Sequence, residues 1–146
     1  MSVDIFLVKF TLDSSGAYVD TESDLIESVT IPSDLFHELR TRRPGAKSSL
    51  LQVFEHEDKQ ASFEIDCYLP DDASTLRDDL RAVFLQKLRK FAVDTGSASV
   101  DQLKTGLVDS ILGTFKSLTN LDALLTRKLE GFRDDDSVVV RVNANE

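Results

Sequence analysis

The feature that most restricts the fold is an abrupt change of hydrophobic period around Pro70. Over residues 61–69, Ala61, Phe63, Ile65, Cys67 and Leu69 alternate with Ser62, Glu64, Asp66 and Tyr68, the pattern of a strand with one dry face. Beyond residue 75 the apolar positions fall three and four apart, at Leu76, Leu80, Val83, Phe84, Leu88 and Phe91, which predicts a helix over 75–93. Between them Pro70 stops the strand, and Asp72 or Ser74 offers a helix cap. Asp94-Thr95-Gly96-Ser97 is expected to break that helix.

The remaining elements follow from similar signals. DIFLVKFT at 4–11 is apolar on both faces, as in an interior strand covered on two sides. LIESVTI at 25–31 reads as a second strand, with 18–24 as polar loop or edge. Pro32-Ser33-Asp34 opens a short helix with Ser33 as cap, ended by Pro44-Gly45. Residues 49–56 pair with 61–69 across a hairpin loop. Ser99-Val100-Asp101-Gln102 has capping-box spacing, so a second long helix spans 100–118 and carries Leu107, Ile111, Leu112, Phe115 and Leu118. A third helix, 121–131, follows Thr119-Asn120 and stops at Gly131. A last strand covers 137–142, and the NANE tail reads as mobile. The order predicts one α+β domain over 1–146, strand-rich over 1–69, helical over 73–131 and closed by a C-terminal strand. About five strands, mixed or antiparallel, pack against a layer of three to four helices.

Charge adds exclusions. The chain has a formal net charge of −9, which disfavours non-specific binding to nucleic acid and to anionic membranes. The local exception is the basic run Arg40, Arg42, Arg43 and Lys47, the one patch suited to a phosphate backbone. The longest apolar run, Ile5-Phe6-Leu7-Val8, is far below the roughly 18 residues of a membrane span, and no targeting segment is expected. The one cysteine, Cys67, forms no internal disulfide, which suits the cytoplasm of a cell or of an infected host.

Motifs for chemistry fail on inspection. Glu55-His56-Glu57-Asp58 would continue to a second histidine in a zinc-binding helix, but Gln60 stands there. Cys67 needs an adjacent base to act as a nucleophile, and its apolar strand face predicts an inert, buried thiol. Gly45-Ala46-Lys47-Ser48 lacks the glycines of a phosphate loop. Asp20, Glu22 and Asp24 alternate like calcium ligands without the required glycine and glutamate, and Asp134 to Asp136 read as a solvated loop. His37 is expected to be half-buried. Catalytic residues, metal and cofactor are therefore expected to be none.

The helical arcs say more. At 100° per residue, the apolar sets on 75–93 and 100–118 each span about 180°, against about 100° for an ordinary surface helix. One packed face does not use so wide an arc. Phe84, Leu88, Leu112 and Phe115 are the residues expected to form an interaction surface, with self-association or a protein partner covering it. The sequence thus predicts a non-enzymatic protein-interaction module, an inhibitor, accessory or self-associating assembly subunit, a profile shared by viral or phage accessory proteins. The alternatives are a nucleic-acid binder using Arg40 to Lys47 and a small enzyme without a recognisable motif.

Overall fold

A computed structural model describes residues 1–42, 47–97, 99 and 106–145. In chain order these are β1 (Ser2–Leu12), β2 (Tyr18–Pro32), α1 (Ser33–Arg40), β3 (Ser49–Phe54), β4 (Ser62–Tyr68), α2 (Pro70–Ser97), α3 (Val108–Thr126) running into a π-helical turn (Arg127–Gly131), and β5 (Val138–Asn145). The strands form a mixed sheet closed into a barrel. All pairings are antiparallel except β2 with β3, which touch over only two residue pairs, Tyr18↔Val53 and Val19↔Phe54. The fold is α+β, with a sheet of five strands and helices on its outer face.

β1 buries apolar residues on both faces of the sheet. Val3, Ile5 and Leu7 belong to a large core that also holds Leu76, Leu80 and Val83 of α2, Leu118, Leu121, Leu124 and Leu125 of α3, and Leu35, Phe36 and Leu39 of α1. Val8 and Phe10 point instead into the barrel, with Val53, Ile65, Cys67 and Val139. The doubly apolar sequence of β1 follows from its central place between β2 and β5. The same division explains β4. Ile65 and Cys67 fill the barrel, while Tyr68, assigned by alternation to the wet face, is buried in the helix-side core. Leu69, assigned to the dry face, lies past the strand end and is 51% exposed.

Five boundaries depart from the sequence reading. Residues 18–24 are strand rather than loop, because β2 is bent by two irregularities: Leu7 faces Glu27 but Val8 faces Leu25, and a second shift between Lys9 and Thr11 accompanies Glu22 at φ 62°. Bulges of this kind turn a strand and close a barrel. α2 starts at Pro70, whose missing N–H costs nothing in a first turn, and it runs through Asp94-Thr95-Gly96-Ser97 without a break. Thr119-Asn120 does not interrupt α3, since Leu118, Leu121, Leu124 and Leu125 continue one buried stripe through it. Asn143 to Asn145 of the polar tail pair with β1. Ser33 makes no capping bond, and His37 is exposed rather than half-buried. The Pro44-Gly45 stop and the start of the helix foreseen at residue 100 lie outside the described residues.

Candidate functional site: the two-helix arm

Among the described residues, Val83 of α2 and Leu118 of α3 are the last fully buried residues toward the ends where the two helices are joined, with the half-buried Phe84 still packed against the same core. α2 continues for another 14 residues to Ser97, about 21 Å at 1.5 Å per residue, and α3 accompanies it from Val108. The result is an arm of two helices braced from one side by α1. Glu38 of α1 pairs with Lys87 at 3.1 Å, and Arg42 just beyond it donates to Gln86 at 3.2 Å.

Aromatic side chains hold the arm together. The rings of Phe84 and Phe115 lie 4.9 Å apart and those of Phe91 and Phe115 6.1 Å apart. Both distances suit tilted and edge-on packing. Of the four residues singled out by arc width, Phe84 and Phe115 therefore meet each other and are half-buried, whereas Leu88 and Leu112 stay 43% and 59% exposed. Leu88 lies one turn beyond Phe84, and Leu112 three residues before Phe115, so each leucine stands on the same side as its aromatic neighbour. A groove of about 340 Å³ runs between the helices, lined by Leu80, Phe84, Leu85, Leu118 and Thr119, with Arg81 and Asp122; of the four residues singled out only Phe84 lines it, and Phe115 lines a separate cleft with Phe91 and Ile111. Arg81 Nε donates to Asp122 Oδ1 at 2.8 Å, and Asp122 holds the guanidinium pKa above its ordinary value. The groove is apolar along its floor and carries one ion pair.

The other candidate chemistry is dispersed. His56 is exposed in the loop between β3 and β4, its Nδ1 3.3 Å from Thr21 Oγ1. Cys67 sits at the opposite end of β4, paired with Ser49, and burial pushes its thiol pKa up. That disfavours the thiolate needed for nucleophilic attack. Glu22, Asp24, Asp135 and Asp136 do share a cleft of about 530 Å³ with Lys9, which brings together the two acidic series noted in the sequence. Among the described residues, however, no group of three or more His, Cys, Asp or Glu could hold a metal ion. Asp135 is engaged internally, accepting from Ser137 through both its backbone N–H and its hydroxyl.

Of the basic run, Arg40 stacks over Phe36 at 5.5 Å, Arg42 is turned toward Gln86, and Lys47 is exposed. Arg43, with Gly45 and Ala46 of the failed phosphate-loop pattern, lies outside the described residues. Among the described residues no helix is long and apolar enough to cross a membrane.

No protein-family model, no curated protein and no solved structure matches this chain.

Two polar centres have no forerunner in the sequence reading. Lys128, in the π-helical turn, is buried, and its Nζ donates to the carbonyls of Phe132 and Asp135, each at 2.9 Å. Burial pulls its pKa down. Asp13 accepts from the N–H groups of Ser15 and Ala17 and from Ser15 Oγ, and pairs with Lys59 at 2.9 Å. An aspartate followed by Ser-Ser-Gly is the signal that marks this turn. For Lys128 no local signal exists, because its acceptors depend on how the following loop folds back.

Proposed function

We propose that this chain is a non-enzymatic protein-interaction module whose α2–α3 arm seats an amphipathic helix of a partner protein. The observation carrying this reading is the groove between α2 and α3 lined by Leu80, Phe84, Leu85 and Leu118, with Leu88 and Leu112 exposed farther along the same two helices. A groove between two helices matches the apolar face of a third, whose anchors recur at three and four residues. The Arg81–Asp122 pair gives the groove a polar point on which a partner's register can be fixed. Nothing in the disposition of Cys67, His56 or the acidic cleft assembles a nucleophile with its base, which favours binding over catalysis.

Leu50 of β3 supplies an internal control, being as exposed as Leu112, at 67% against 59%. A photo-crosslinking residue placed at Leu112 in the native host is expected to give a discrete adduct with one partner, and the same residue at Leu50 none. No adduct at Leu112, or the same set of adducts from both positions, would overturn the reading.

A further inference from the structure

We infer that a second copy of this chain pairs with α2 along its solvent face, the two helices running antiparallel about a two-fold axis. This face adjoins the groove and shares Leu85 with it, but its other residues are distinct from those of the proposed helix-binding site. Opposite the buried Leu76, Leu80 and Val83, the residues Thr75, Asp78, Ala82, Leu85, Arg89 and Ala92 follow one another at alternating spacings of three and four. All are exposed apart from the half-buried Ala82. Of these, Ala82, Leu85 and Ala92 are apolar and stand three and seven residues apart, the spacing that keeps one line of a helix against a neighbouring helix.

The charges on this line point to the occupant. Asp78 and Arg89 stand at equal distances from the midpoint between Ala82 and Leu85. An antiparallel copy therefore sets Asp78 against the partner's Arg89 and Arg89 against the partner's Asp78, so that both pairs form at once. At the centre Ala82 meets the partner's Leu85 and Leu85 the partner's Ala82, a small residue opposite a large one at each crossing. Thr75 meets Ala92 at both ends. Within its own chain Arg89 makes no ion pair among the described residues, and Arg81, the cation one turn beyond Asp78, is already engaged by Asp122. A parallel copy would set Asp78 on Asp78 and Arg89 on Arg89, and closed two-fold pairing of one self-complementary patch is the commonest form of assembly.

Sedimentation equilibrium of the intact chain tests this. The wild-type protein is expected to form dimers at micromolar concentration. Asp78→Arg and Arg89→Glu each place two like-charged pairs across the axis, and each alone is expected to weaken association about tenfold or more. Mixed together, the two variants regain complementary pairs and are expected to associate as tightly as wild type. Circular dichroism checks that each variant is folded, and if a reversal unfolds the chain, Asp78→Asn and Arg89→Gln replace it, each expected to weaken association a few-fold. A wild-type monomer at high micromolar concentration, a folded single variant that dimerises like wild type, or a mixture that does not re-associate would each overturn the proposal. The crosslink at Leu112, on α3, reports on the proposed helix-binding site separately, because Asp78 and Arg89 lie outside that site.

Discussion

At the scale of single residues, Asp13 shows how a surface carboxylate becomes part of the fold. It collects two backbone N–H groups, a hydroxyl and the Lys59 ammonium, and these donors, the Ser15 side chain first, hold its pKa well below the ordinary 3.8. A carboxyl depressed on folding adds stability that is complete above its unfolded pKa and disappears as pH falls through the folded one. Asp13→Asn is therefore expected to be less stable than wild type at neutral pH, with the difference shrinking as pH falls below 3.8. Thermal unfolding followed between pH 7 and pH 2 measures this, and a difference independent of pH would contradict it. Residues whose role is set by one strand face were legible in the sequence, as Ile65 and Cys67 were. Tyr68 was not, because the helix layer covers the end of β4 on the side that alternation assigns to water. Lys128 was not, because a buried lysine is recognised only once its two carbonyl acceptors are in place.

At the scale of elements, the helices were legible as periodicities and misjudged at their ends. Local breakers such as Gly96 and Asn120 cost roughly 1 kcal/mol or less relative to alanine, and a continuous buried stripe outweighs that, as it does across Thr119-Asn120 in α3. Arc width singled out Phe84, Leu88, Leu112 and Phe115, but which of them lines the groove, Phe84 alone, and the pairing of Phe84 with Phe115 depend on how α2 and α3 cross. The bend of β2 escaped because its cause, the shifted register against β1, involves two strands at once. Glycines within this layer give a test with opposite signs. An added Cβ at Gly113 meets nothing within 4 Å and the backbone there is ordinary helix, whereas Gly106 has φ +105°. Gly113→Ala is expected to stabilise the protein by about 0.5–1 kcal/mol, and Gly106→Ala to destabilise it by about 1 kcal/mol or more. Urea unfolding of both variants decides it, and a loss of stability for Gly113→Ala would show that its face of α3 is not free.

At the scale of the whole molecule, class and layer order follow from the switch of period near Pro70 and from the number of elements on either side. Barrel closure does not, since it rests on two parallel residue pairs between β2 and β3 that no local pattern announces. We propose a division of labour: the buried residues up to Val83 and Leu118, with the paired arm aromatics Phe84, Phe91 and Phe115, hold the fold, and the exposed Leu88 and Leu112 serve binding. Equilibrium urea unfolding of Leu118→Ala beside Leu88→Ala/Leu112→Ala tests this most directly. Leu118 is buried and Leu88 and Leu112 are exposed, so the first variant is expected to lose about 2–5 kcal/mol and the second less than about 1 kcal/mol. A loss of several kcal/mol for the arm variant would contradict the account by making Leu88 and Leu112 part of the core.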